Sequence, residues 1–409
     1  MSNIKLQQTH QSANLQAITI NQTHIKIIME DFYIDYANMD DIQRTYIKRK
    51  TNRHMVVTGT AGSGKSVIAL HKLRQICYIG TYAVIVFTKS LKKYFFDGIA
   101  AMEKDRLENY GEKLNLNNNK IYYYQEWKNW YNDHPDSVVD FLIIDECQDF
   151  SAEQIYEMLS FGKICFLFGD ADQTIMDFKE KVTMDPQDTA KKLGVVVDKL
   201  YKNYRLTIEV AKVVEQVPRP QVNPDISDAC VRHGQKPILI KASSFDSQLD
   251  RIISIIHNQA LSNVGVLLRY NTRNTAQIRS GNEKRSVEYV KDYFESKGVT
   301  VEYKYNINMD TEMDLDFQSS NPKILTWWCA KGLQFKDVFV VDCDFDYVQQ
   351  GECDKEKRTL ASAWYVALSR TSERLYIGFT NNLSNRFPDT SSDLYSNPIE
   401  IKNNKELFF

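Results

Sequence analysis

Gly59-Thr60-Ala61-Gly62-Ser63-Gly64-Lys65-Ser66 fits the pattern G-x-x-x-x-G-K-[ST]. It follows the apolar run Met55 to Thr58 and precedes an apolar pattern at helical spacing through Val67 to Ile76. A strand, a glycine-rich turn and a helix are therefore predicted in that order, which separates a phosphate-binding loop from a chance glycine turn. Glycines let backbone N–H groups point inward, and the N-terminus of the following helix adds positive potential. Gly59, Thr60, Ala61, Gly62, Ser63 and Gly64 are thus expected to cradle phosphates. Lys65 would reach the β and γ phosphates, and Ser66 would place its hydroxyl on Mg²⁺.

Working outward, Asp145-Glu146-Cys147-Gln148-Asp149 stands directly after the apolar run Phe141 to Ile144. An acid at the C-terminal end of a buried strand can hold a metal, so Asp145 is the expected Mg²⁺ partner of Ser66. Glu146 is placed to orient and deprotonate an attacking water. A capping or solvated acidic turn is the lesser reading of this segment; its two carboxylates indicate hydrolysis.

Around these two motifs the chain alternates short β-branched runs with helical patterns. One series covers Met55 to Asp170, with strands at Ala83 to Phe87, Phe141 to Ile144 and Ile164 to Phe168. A second begins near Tyr201, with strands at Pro237 to Ile240, Val264 to Leu268, Ile324 to Trp327, Val338 to Val341 and Leu375 to Phe379, and helices through Leu249 to Ile256 and Val287 to Phe294. Such runs predict parallel strands covered on both faces. The expected fold is α/β, two P-loop NTPase-like layers in tandem: an extension over 1–40, a first unit over 41–200 and a second over 201–409.

The 409 residues carry a formal net charge of −2, 43% hydrophobic and 25% charged residues, which excludes collagen-like, disordered and coiled-coil classes. Any nucleic acid would have to bind in a local groove rather than to an overall positive field. No apolar run approaches the roughly 20 residues that span a bilayer, and the N-terminus lacks a basic patch followed by an apolar stretch, so no membrane partner and a cytoplasmic location are expected. Cys77, Cys147, Cys165, Cys230, Cys329, Cys343 and Cys353 are odd in number and scattered. Core filling, rather than a disulfide framework or zinc site, is their expected use.

D-E-C-Q-D after G-x-A-G-S-G-K-S resembles superfamily 1 helicases of the UvrD/Rep/PcrA type, and further segments from about Asp41 to Phe379 follow that family's order. Gln43 in Asp41-Ile42-Gln43-Arg44 resembles the adenine-reading glutamine. Phe87-Thr88-Lys89-Ser90 resembles motif Ia, Gly169-Asp170-Ala171-Asp172-Gln173-Thr174-Ile175 motif III, and Asn203-Tyr204-Arg205 motif IV. Thr326-Trp327-Trp328-Cys329-Ala330-Lys331-Gly332-Leu333-Gln334-Phe335 resembles motif V, and Tyr365-Val366-Ala367-Leu368-Ser369-Arg370 motif VI. The resemblance implies two RecA-like lobes with ATP between them. Tyr204 would stack on adenine, Gln173 would sense the γ-phosphate, and Arg205 and Arg370 would act as arginine fingers. The family usually has glutamate after K-G-L, contacting the ribose; Gln334 stands there in this chain, which implies looser sugar discrimination.

For the nucleic acid, the resemblance points to Thr88 and Thr326 as phosphate contacts and Phe178 as an aromatic platform. Trp328 and Trp127, in Tyr122-Tyr123-Tyr124-Gln125-Glu126-Trp127, are candidates for base stacking or for core packing. Lys89, Lys92 and Lys93 read as strand contacts or as a solvated face.

Relatives that unwind duplexes carry two large insertions. Here 17 residues (128–144) separate Trp127 from Asp145, and only a polar loop over 306–322 precedes motif V. Thirty residues (380–409) follow the last strand, too few for a nuclease module. The expectation is a minimal single-stranded DNA translocase, 3′ to 5′ by resemblance, that needs a partner to separate strands. Small relatives occur beside nucleases or other effectors in bacterial defence systems, which suggests such a partner by analogy. A regulatory ATPase subunit of an effector complex and an RNA-directed motor are the alternatives.

Overall fold

The computed structural model describes residues 33–174, 183–217, 226–304, 315–344 and 354–396. Two six-stranded sheets, every pairing parallel, carry the fold. The first runs in the order β3-β2-β4-β5-β1-β6. Its strands are β1 (Met55–Gly59), β2 (Tyr82–Val86), β3 (Ile121–Tyr123), β4 (Val139–Ile144), β5 (Gly162–Gly169) and β6 (Val197–Leu200). A two-stranded parallel pair, β7 (Asn203–Thr207) and β8 (Cys230–Arg232), comes next in the chain. The second large sheet comprises β9 (Ile238–Lys241), β10 (Val264–Leu268), β11 (Glu302–Lys304), β12 (Lys323–Thr326), β13 (Phe335–Val340) and β14 (Thr371–Phe379), in the order β11-β12-β10-β13-β14-β9.

Parallel strands need crossovers, and helices on both faces make the central strands apolar throughout. Side chains along β4 show the consequence. Phe141 and Ile143 join one buried cluster, while Leu142 and Ile144 join the cluster on the other face. In the second sheet, Val338 and Val340 of β13 face one cluster and Phe339 the other. One cluster is common to both sheets, holding Val57 and Ile143 from the first with Leu267 and Val340 from the second. It is bridged where Tyr94 meets Phe317 edge-on at 5.4 Å between ring centroids.

The predicted strands around the phosphate loop and in the second series are present, with ends that coincide or shift by up to four residues, the largest shift being the start of β14. Strands β3, β6, β7 and β8 were not predicted. Trp127, a candidate for base stacking, is fully buried and stacks on Tyr131 at 5.0 Å with Phe161 beside it, so it is a core residue with no face left for a base. The gap over 128–144 is filled by the end of helix Tyr124–Asp133 and by β4. Six of the seven cysteines lie among the described residues, all as buried thiols. Among the described residues no helix is long and apolar enough to cross a membrane.

Candidate active site

In open parallel sheets, ligands bind beyond the carboxyl ends of the strands, where the order reverses. Here the loop after β1 occupies that position, with β5 between β1 and β4. Helix Lys65–Ile76 begins at Gly64, which has φ +90° and supplies no side-chain cap. Its first N–H groups are therefore not met by a capping side chain and face the loop, as anion binding at a helix N-terminus requires. A Cβ on Gly62, φ +80°, would lie 2.7 Å from Asn203 Oδ1, so glycine there lets the second half of the chain approach the loop. Tyr204 N–H donates to Gly62 O at 2.9 Å across that approach.

Lys65 Nζ donates to the Gly59 and Thr60 carbonyls at 2.7 and 3.1 Å. Ser66 Oγ donates to Asp145 Oδ2 at 2.7 Å, placing hydroxyl and carboxylate side by side. Burial and the adjacent Glu146 carboxylate push the Asp145 carboxyl up, against the Ser66 hydrogen bond and Lys65. Glu146 is buried too, but Lys331, Lys65, the Gln148 hydrogen bond and Arg370 outweigh that and hold its carboxyl below the usual range. Of this dyad, Glu146 is the stronger candidate for the ionised base. Its backbone sits in the left-handed region, φ 53°, a conformation that costs a non-glycine residue about 1–2 kcal/mol. Gln148 Nε2 donates to Glu146 Oε2 at 2.6 Å, and Gln148 Oε1 accepts from Asp170 N–H at 2.9 Å, which ties β4's end to β5's.

Gln43 closes another wall. Helix Asp41–Lys48 starts with a capping box in which Gln43 Oε1 accepts from Asp40 N–H at 3.2 Å. The same carboxamide donates through Nε2 to Ser63 O at 3.1 Å. Tyr204 OH donates to the Asp40 carboxylate.

The second half of the chain contributes two guanidinium groups. Arg205 Nε donates to Gln334 Oε1 at 2.8 Å and Nη1 to Ser369 O at 3.4 Å. Arg370, with no exposed surface, donates to Gln173 Oε1 at 2.7 Å, to Val366 O at 2.9 Å and to Leu333 O at 3.3 Å. Gln173 Nε2 in turn donates to Asp170 Oδ2 at 2.6 Å. Burial lowers the pKa of both arginines, and for Arg370 the Arg205 charge adds to it. Two cations held together in a low-dielectric cleft favour a polyanion as their counter-charge.

A cleft of about 190 Å³ joins these groups, walled by Gln43, Ala61, Gly62, Gly64, Lys65, Ser66, Glu146, Gln173, Tyr204, Arg205, Gln334 and Arg370. Gly59, Thr60 and Ser63 complete the loop behind that wall. Ile34, Tyr94, Arg232 and Gly332 also line the cleft and were not anticipated. Asn203 also serves the site: its Oδ1 accepts the N–H groups of Arg205 and Leu206, both at 3.0 Å. Its place beside Tyr204-Arg205 was a usable signal, whereas nothing local marks Ile34 or Arg232.

The nucleic-acid candidates are less assembled. Thr88 caps helix Lys89–Tyr110, accepting from Leu91 N–H at 3.1 Å. Thr326 is buried, and its hydroxyl accepts from Cys329 N–H at 3.2 Å. Half-buried Trp328 stacks on Trp327 at 6.2 Å, with the Arg269 guanidinium 5.8 Å from its ring centre. Lys89 lies over the Tyr123 ring and Lys92 pairs with Glu126 at 2.6 Å. Phe178 lies outside the described residues.

A family profile described as "AAA domain" matches residues 48–175, less than half of the chain but all of the loop after β1 and the acidic turn after β4. No curated protein matches the chain in sequence. Among solved structures, the chain is similar to Dbp5 of S. cerevisiae bound to RNA and ADP BeF3, at 14% identity and a TM-score of 0.51 over 86% of this chain and 85% of that one. A single-residue variant of the same yeast protein gives 14% identity, 84% of each chain and a TM-score of 0.50. The C-terminal domain of a possible DNA helicase from Lactobacillus plantarum is 15% identical, covering 47% of this chain and 97% of that one, with a TM-score of 0.32. At these identities the likeness is one of fold, and the fold is that of a P-loop NTPase built on two RecA-like sheets.

Proposed function

We propose that the chain is an ATPase stimulated by nucleic acid, a single-stranded DNA translocase resembling the UvrD/Rep/PcrA type of superfamily 1, with 3′ to 5′ polarity by that resemblance. The observation that carries the reading is the meeting of Lys65 and Glu146, from the first sheet, with Arg205 and Arg370, from the second half of the chain, around one cleft. Phosphoryl transfer is accelerated by cations on the equatorial oxygens and by an ordered nucleophile, and these four residues supply both. Residues 41–200 form one lobe and 201–409 the other, with 1–40 as an extension.

ATP enters with its adenine against Gln43 and Tyr204 and its phosphates over the loop 59–66. Ser66 and Asp145 fit a Mg²⁺ ion, since a hydroxyl and a carboxylate 2.7 Å apart leave room for the phosphate and water ligands that magnesium keeps. When bound, that ion neutralises charge on the β and γ oxygens. Lys65 exchanges its two carbonyl partners for phosphate oxygens. Glu146 accepts the proton of the attacking water, Gln173 reports the γ-phosphate, and Arg205 and Arg370 stabilise the charge on the transferring group. Loss of the γ-phosphate removes the anion that holds both halves together, and the lobes part.

Thr88, Thr326, Trp328 and Phe178 are the proposed track for the strand, and a nuclease or other effector is the proposed protein partner. ATP turnover by the purified chain alone, with single-stranded DNA and with RNA, tests the reading, with Lys65→Ala and Glu146→Gln as inactive controls. Stimulation by DNA is expected. Stimulation by RNA alone reassigns the track, and turnover indifferent to both polymers sinks the translocase and leaves a regulatory ATPase.

A further inference from the structure

Lys331 lies in the turn between β12 and β13, outside the wall of the cleft. Its Nζ donates to Asp149 Oδ1 at 2.6 Å and to the main-chain carbonyl of Gln173. Only 4% of the lysine side chain and 1% of the aspartate are exposed. For so buried a pair, desolvation offsets much of the Coulomb gain, so geometry is its more natural use.

Both ends of the pair lead to reacting groups. Asp149 closes the short helical turn that follows Glu146, its N–H donating to Glu146 O at 3.1 Å. Gln173 is the residue whose side chain receives Arg370. On the other side, Lys331 N–H donates to Trp328 O at 3.3 Å and Ala330 N–H to Thr326 O at 3.0 Å. One compact turn therefore carries the proposed strand contacts and the ammonium group that reaches the catalytic backbone.

We infer that Lys331 is a positioning residue that ties the turn 326–331 to the backbone aiming Glu146 and Gln173, and through which a bound strand alters ATP hydrolysis. The inference rests on the ATPase reading above. Nucleotide affinity for the loop itself does not pass through Lys331, whereas hydrolysis and the distinction between tri- and diphosphate do.

The test compares wild type, Lys331→Met and the double variant Lys331→Met/Asp149→Leu, which removes both charges and leaves no orphaned buried carboxylate. Affinities for a fluorescent ADP and for a non-hydrolysable ATP analogue are measured by equilibrium titration, and turnover with and without a saturating single-stranded oligonucleotide. Both variants are expected to bind ADP within about threefold of wild type while kcat falls about 10- to 100-fold, the stimulation ratio collapses and the preference for triphosphate is lost. A double variant that turns over and responds to the strand as wild type does overturns the role of Lys331 and leaves the ATPase reading intact. A wild-type chain that binds neither nucleotide overturns the ATPase reading and the inference with it.

Discussion

The cleft and the proposed strand track lie in the same molecule but are built differently. In the cleft, polar side chains from at least six separate segments converge on one space, are largely buried and share hydrogen bonds, as in the series Arg370, Gln173, Asp170. Along the track, Thr88 and Thr326 spend their hydroxyls on adjacent backbone, and Trp328 rests on its neighbour Trp327. Phosphoryl transfer admits few geometries, so its groups must be preorganised. Holding a strand through backbone charge and stacking tolerates many arrangements, so its residues can double as caps and packing. Substitutions in the cleft should consequently change rates by orders of magnitude, and substitutions on the track should change affinity alone.

The sharpest way to break this contrast is Arg370→Lys, which keeps a charge but loses the planar fork reaching Gln173, Val366 and Leu333 at once. Turnover should fall by about 10³-fold or more, the lower end for an arginine finger, with the unfolding midpoint checked to exclude a folding defect. Glu146→Gln comes next: losing the base should lower kcat by about 10²- to 10⁴-fold while a fluorescent ADP still binds. Near-wild-type turnover in either variant would put the cleft on a level with the track.

The same contrast explains what the amino-acid sequence disclosed. The strands β1, β4, β5, β10 and β13 are central and covered on both faces, so they read as apolar runs. Strands β3, β6 and β8 span only three or four residues, and β6 and β8 carry charged or exposed positions, such as Asp198 in Val197–Leu200, which pairs with Arg49, so no periodicity develops over that length. Motif spacing disclosed Lys65, Asp145 and Glu146 because loop and acidic turn are each contiguous. It could not disclose that Lys331 meets Asp149, 182 positions away, nor that Asn203 braces Arg205. Trp127 and Trp328 looked alike as sequence, since aromatic residues serve cores and bases equally; burial alone separates them.

Trp328→Ala probes the track. If the exposed face of this ring stacks on a base, single-strand affinity should fall by about 1–3 kcal/mol, read as a displaced midpoint in fluorescence anisotropy. Turnover without nucleic acid should stay close to wild type. An unchanged midpoint would mean that Trp328 only packs against Trp327 and Arg269.

The smallest expected effect is the most delicate, because it concerns a cleft residue proposed to meet the ribose, a part of the ligand away from the chemistry. Gln334 Oε1 accepts from Arg205 Nε at 2.8 Å, so the carboxamide already orients one of the two arginines. Gln334→Glu would replace that neutral acceptor by a charged one. Hydrogen bonds to charged groups exceed neutral ones by about 1 kcal/mol, so a ribose hydroxyl donating to the new carboxylate should raise the preference for ATP over dATP by roughly fivefold. The same carboxylate would neutralise part of the Arg205 charge proposed to act on the transferring phosphate, so kcat for ATP should fall modestly as the preference for ATP rises. Paired kcat/KM values for ATP and dATP in wild type and variant separate the two effects. If both enzymes show the same ratio, position 334 serves Arg205 only, and the sugar is recognised elsewhere in the cleft.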